Sequence, residues 1–129
     1  MGISVEWGNQ EKTIVVGVVE WPYTWQELRT TWNTTVAMLR DVPQSVHLIV
    51  VARSSRFPTN DILANLKLAT RDVPNNLGLA ILVTDNSFLQ VINRIFFQIA
   101  PGFRHRGHVV RSLEAAYTLI AEQSAEAVS

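Results

Sequence analysis

Hydrophobic periodicity changes several times along the chain, and each change marks an element. Ile3, Val5 and Trp7 alternate with Ser4 and Glu6, the period-two pattern of a strand with one wet face. A polar turn over 8–12 leads to a Val- and Ile-rich run from Thr13 to Glu20. So short a link pairs the two strands as an antiparallel hairpin. Gly17 interrupts the second strand, where it marks a bulge or a close backbone contact.

Further on, one unit is written twice. Arg40-Asp41-Val42-Pro43 precedes the apolar run 46–52, and Arg71-Asp72-Val73-Pro74 precedes the apolar run 79–83. Each run then gives way to polar residues and a helical stretch, which is the grammar of parallel strands joined by crossover helices.

Between the strands the period is helical. Thr24 and Glu27 form a capping box, with Tyr23 and Leu28 at the staple positions. Leu28, Trp32, Val36 and Leu39 share one face of the helix that follows, which ends near Asp41 because Pro43 disfavours helical geometry at Val42. A second helix is expected after Pro58, capped by Thr59 or Asn60, with Ile62, Leu63, Leu66 and Ala69 inward. The third starts near Asp85 or Asn86 and is stopped by Pro101-Gly102. A short strand around 108–111 precedes a last helix capped by Ser112, with Leu113, Ala116, Tyr117 and Ile120 facing the core.

The expected fold is therefore α/β: a single domain over 1–123 with a mixed, mostly parallel five-stranded sheet in the order ββαβαβαβα, and a frayed tail over 124–129. Both middle strands are apolar on both faces, so both faces should be covered. Crossovers between neighbouring strands put helices on one face only. Reversal of the strand order is the favoured way to cover the other, and a second subunit is the alternative.

With 129 residues, eleven basic and eleven acidic side chains and no cysteine, the composition excludes disulfides and a thiolate nucleophile and carries no net field to recruit nucleic acid. No apolar run approaches the ~20 residues of a membrane span, and no signal-like segment opens the chain, so a cytoplasmic location is expected. The one basic cluster, Arg104-His105-Arg106-Gly107-His108 with Arg111, reads as a solvated connection; His105 and His108 lack a third metal ligand nearby.

Candidate functional residues fall in four groups. In open parallel sheets ligands bind beyond the strand C termini, where Glu20, Arg53, Ser54, Ser55, Thr84, Asp85 and Asn86 are expected to form a polar ligand or partner edge. Ser54 and Ser55 are candidate phosphorylation sites, because a phosphate there would sit beside Arg53 and Arg56. Trp21, Tyr23 and Trp25 crowd one turn and offer an aromatic surface. The third helix leaves polar positions only at Gln90, Asn93, Arg94 and Gln98, a single narrow stripe. Its apolar excess, represented by Phe88, Ile92, Phe96 and Phe97, allows burial against a neighbouring helix, a dimer seam or the wall of a pocket for a lipid-like ligand. No nucleophile, base and orienting group assemble in the sequence, and His47 sits mid-strand as a core histidine, so a non-enzymatic role without metal or cofactor is expected.

The element order, the Trp21-Pro22-Tyr23-Thr24-Trp25 segment opening the first helix and the closing helix 112–116 (Ser-Leu-Glu-Ala-Ala) resemble the SpoIIAA-like group. That group includes the STAS domains of anti-sigma factor antagonists and shares its general fold with CRAL-TRIO lipid carriers. The resemblance implies a phosphorylatable serine after the third strand, matching Ser54 and Ser55. Arg53 stands where that motif has an acidic residue, and no glycine follows, which counts against a phosphoswitch. Two functions are thus expected from different classes. The first is a regulatory or protein-interaction domain with an unidentified protein partner, homodimerisation included. The second is a carrier or sensor of a small apolar ligand, with no nucleic acid and no membrane span in either case.

Overall fold

The computed structural model describes residues 2–54 and 56–128. Strands β1 (Gly2–Trp7), β2 (Ile14–Glu20), β3 (Val46–Ala52), β4 (Leu77–Val83) and β5 (Gly107–Val110) alternate with helices α1 (Trp25–Arg40), α2 (Ile62–Ala69), α3 (Ser87–Ile99) and α4 (Leu113–Val128) in the expected ββαβαβαβα order. β1 and β2 form the antiparallel hairpin; β2 to β5 run parallel.

The strand order is simply β1-β2-β3-β4-β5, so the expected reversal does not occur. α1, α2 and α3 each cross between adjacent parallel strands and lie side by side on one face, α2 touching both neighbours. The other face is covered by α4, whose Ala116 and Ile120 pack on Ile14, Ile49, Leu79 and Ile81. α4 leaves β5 and folds back over the face that the crossover helices leave bare. Its backbone continues helical to Val128, past Gln123, where the sequence reading places the start of a tail.

Local signals account for most element ends. Thr24 caps α1, its hydroxyl accepting from Glu27 N–H at 3.1 Å. Asn86 caps α3 through Leu89 N–H at 2.9 Å, and Ser112 accepts from Ala115 N–H at 3.1 Å ahead of α4. α2 differs from expectation. Neither Thr59 nor Asn60 caps it; the chain stays non-helical until Asp61, which takes a left-handed conformation (φ 47°) with no side-chain cap. Asn65 instead bonds the Asn60 carbonyl at 2.9 Å, and Phe57 stacks on Phe88 of α3.

Gly17 makes no bulge, since the β1–β2 register runs unbroken through Val5↔Gly17. The irregularity lies at His47, where the β3–β4 register shifts. His47 Nδ1 fills the gap by accepting from Leu79 N–H at 2.9 Å, and a Cβ on Gly78 would come within 2.5 Å of that nitrogen.

Candidate functional site

Between the sheet and the α1–α2–α3 layer lies an apolar cavity of about 160 Å³. On the sheet side, small residues make the room. In β2 the alternation turns Val15, Gly17 and Val19 toward the helices, and Gly17 contributes no side chain there. Ala52 in β3 and Ala80 in β4 also line the space. A Cβ built on Gly17 would meet nothing closer than 3.6 Å, so this glycine is not demanded by crowding.

Aromatic rings build the opposite wall. Phe96, Phe97 and Phe103 cluster with centroids 5.4–5.7 Å apart, and Trp32 leans on Phe103 at 5.8 Å. Toward the strand C termini the cavity is bordered by Tyr23, Trp25 and Phe57.

The polar side chains along the wall are mostly engaged with backbone. Thr31 and Thr35 donate to carbonyls one turn back in α1 (2.9 Å each), and Thr70 does so in α2. Trp32 Nε1 donates to the Arg71 carbonyl at 2.6 Å, and Asn93 Nδ2 to Leu89 at 2.9 Å. With their donors turned to the backbone, these residues add little polarity to the wall. Among the described residues, no Asp, Glu, Lys, Arg or His lines it. Trp25 is the exception: its Nε1–H is buried and meets no hydrogen-bond acceptor among the described residues. Burial pushes the Tyr23 hydroxyl up to about 12, so it stays protonated at neutral pH.

The four groups of candidate residues are distributed unequally around this space. Of the aromatic turn, Tyr23 and Trp25 line the cavity, while Trp21 packs edge-on against Tyr23 at 6.0 Å. Of the α3 set, Ile92, Phe96 and Phe97 are on the cavity wall; Phe88 is not, being 52% exposed and stacked on Phe57. The expected polar stripe of α3 does not face solvent as one strip. Gln90 is buried, because its Nε2 donates to the Thr84 carbonyl at the end of β4 (3.0 Å), and Asn93 lines the cavity. Arg94 and Gln98 remain exposed, sharing the outer face with Phe88, Val91, Ile95 and Ile99.

The polar edge exists as a place. β3 and β4 are parallel neighbours, so Arg53 and Asp85 emerge along one rim, next to the end of β2 at Glu20. Three of its members, Ser54, Thr84 and Asn86, are engaged in building the turns. Ser54 Oγ accepts from Trp21 N–H at 3.0 Å, tying the β3–α2 connection to the aromatic turn. Thr84 Oγ1 accepts from Asn86 N–H at 3.1 Å, and Asn86 caps α3. Ser55 lies outside the described residues. In the basic cluster, Arg106 donates to the Leu77 carbonyl at 3.2 Å, a structural contact.

The sequence reading passed over Gly17 as a cavity-maker and Ala52 and Ala80 beside it. A glycine at an inward position of a central strand was the available signal. Compared with protein-family models, with curated proteins and with solved structures, the chain matches none.

Proposed function

We propose that the protein binds a small apolar molecule of about single-ring size between its sheet and helices α1–α3, as a carrier or sensor. The observation that carries this reading is the cavity itself, about 160 Å³ walled by aliphatic and aromatic side chains. An engineered cavity of roughly 150 Å³ with a comparable lining stays dry and takes up benzene. Gly17 adds to the case: glycine weakens a strand interior by roughly 0.5–1 kcal/mol relative to alanine, and a side chain would fit there. Keeping it bare preserves space for a guest.

The test combines native mass spectrometry of the purified protein with NMR titration using benzene and toluene. The expected result is saturable shifts of the Gly17 and Ala80 amides, or a copurified small molecule. Gly17→Leu, which fills the void, should abolish the shifts and raise the melting temperature. Absence of a copurified guest together with unshifted amides would overturn the reading.

A second reading is supported by a separate observation. Phe88, Val91, Ile95 and Ile99 recur at helical spacing on the outer face of α3 and are exposed, the pattern of a protein-interaction surface. Phe97 is unsuited to test it, because it faces the cavity and β5. Ile95→Asp is the informative substitution, with sedimentation as the readout.

A further inference from the structure

We propose that the open edge of β5 takes up an extended peptide with acidic residues at alternate positions, as an added antiparallel strand. The site is separate from the space between sheet and helices, and its occupant is a segment of another protein.

β5 ends the sheet: β4 pairs with one side of it and no described strand with the other. The Arg106 and Val110 carbonyls accept from Ala80 and Thr84 N–H at 2.9 and 3.0 Å, so these residues turn their backbone groups toward β4. Alternation along the strand then turns the N–H and C=O of Gly107 and Val109 outward. In antiparallel pairing such a residue exchanges both bonds with the residue opposite. Main-chain bonds of this kind supply affinity, and the side chains beside them supply selection.

Gly107 and Val109 also line a groove of about 370 Å³ between β5, the later turns of α3 and the loop ahead of β5. Phe97 and Phe103 give it apolar surface. Arg94, Arg104 and His105 stand along it, all exposed, and no acidic side chain lines it among the described residues. The side chains of these three are without a hydrogen bond or ion pair among the described residues. Cross-strand neighbours share a face of the sheet, as do residues two apart along a strand. The residue opposite Val109 therefore lies on the groove side, and so does every second residue of the added strand. A glutamate at these positions has methylenes for the apolar surface and a carboxylate for Arg94 or Arg104, the pairing in which a guanidinium gives two parallel hydrogen bonds.

Charge also argues against a second copy as the occupant. Edge-to-edge pairing about a two-fold axis keeps both α3 layers on one side of the joined sheet. Basic groove would then meet basic groove, and like charges brought together are costly. Charged guards on an edge strand oppose self-association; the same guards select an oppositely charged segment.

The test is NMR titration of the isotope-labelled full chain with acetyl-Thr-Glu-Val-Glu-Val-Glu-Thr-amide. The expected result is saturable shifts confined to β5 and the groove, slower hydrogen exchange at the Gly107 and Val109 amides, and an affinity that falls as salt rises. The lysine counterpart of the peptide should not bind. N-methylation of the glutamates, whose N–H groups face β5 in the antiparallel arrangement, should abolish binding, whereas N-methylation of the valines should change affinity by less than about two-fold. Arg94→Glu combined with Arg104→Glu should weaken binding by about ten-fold or more and leave the dispersed spectrum of the folded chain intact, since both side chains are exposed. No shift at millimolar peptide overturns the proposal. Equal binding of the lysine peptide, or an unchanged affinity in the double variant, overturns the charge assignment, and indifference to N-methylated glutamate overturns the strand pairing. A short oligothymidylate that shifts the same amides with equal affinity overturns the peptide assignment. A free chain that sediments as a dimer with the Val109 amide already protected overturns it in favour of a second copy.

Discussion

Phe57 and Phe88 lie ring against ring, centroids 5.4 Å apart and planes only 8° from parallel. One comes from the irregular β3–α2 connection, the other from the first turn of α3, and Phe57 also lines the cavity. The stack therefore pins Phe57, outside any helix or strand, at the border of the cavity. Offset stacks of this kind contribute about 0.5–1.5 kcal/mol beyond area burial. Phe57→Ala is expected to lower stability by about 1–2 kcal/mol in urea titrations. Its larger effect should be on exchange: guest association and dissociation, followed by NMR line shapes, should both speed up. Unchanged exchange rates would show that the stack does not gate the cavity.

His47 ties pH to stability. Its Nδ1 accepts from Leu79 N–H at 2.9 Å, so the native chain keeps the imidazole neutral, and burial lowers its pKa below the ordinary 6.5. Below pH 6.5 the unfolded chain takes up a proton that the native chain resists, and stability falls as the pH falls. The contribution is complete above 6.5 and is lost progressively below it, down to the native pKa. Urea midpoints at pH 7.5 and 5.5 should differ for the wild type. The difference should shrink in His47→Asn, whose side-chain oxygen can replace the acceptor.

Gly107 opens β5 directly beneath a ring. A Cβ there would collide with Phe97 Cγ and lie 2.6 Å from Phe97 Cβ; the ring can turn away from the first contact, but the second stays because Cβ is fixed to the helix. Gly107→Ala should cost about 1–3 kcal/mol by forcing β5 and α3 apart. Paired with Phe97→Ala, the two effects should be less than additive in a double-mutant cycle. Full additivity would show that the strain is taken up elsewhere.

Asn76 holds a helix end from a distance. Its Nδ2 lies within hydrogen-bonding reach of the Leu39, Val42 and Gln44 carbonyls, at 2.7, 3.2 and 2.9 Å. These are carbonyls at and after the C terminus of α1, which the helix itself cannot satisfy. Asn76→Ala should destabilise by about 1–3 kcal/mol. Asn76→Asp should be worse, since a carboxylate would face three carbonyl oxygens with nothing to donate. Chemical denaturation of the two variants side by side checks the ranking.

Much of this could be read along the chain because it is local. The Thr24 cap, the Asn86 cap and the stop at Pro101 each depend on neighbours within a few residues, and they stand where the pattern puts them. The duplicated Arg-Asp-Val-Pro unit correctly announced two helix ends before two parallel strands. Its copies nevertheless differ: Asp41 is right-handed (φ −81°) and Asp72 left-handed (φ 61°). The rotation of α3 was not legible. Hydrophobicity grouped Gln90 with Arg94 and Gln98 in one polar stripe, whereas a carbonyl at the end of β4 draws its amide inward.

Sequence alone determined the class, the element order and the apolar character of both sheet faces, because period and capping are properties of short segments. What covers the second face was decided only in three dimensions: α1, α2 and α3 all lie on the first face, and the apolar surface left bare draws Ala116 and Ile120 of α4 onto it. The cavity was decided the same way. A glycine in a strand becomes a space only when Val19, Ala80 and the rings of α3 are assembled around it, and whether neighbours close over a missing side chain is settled by packing.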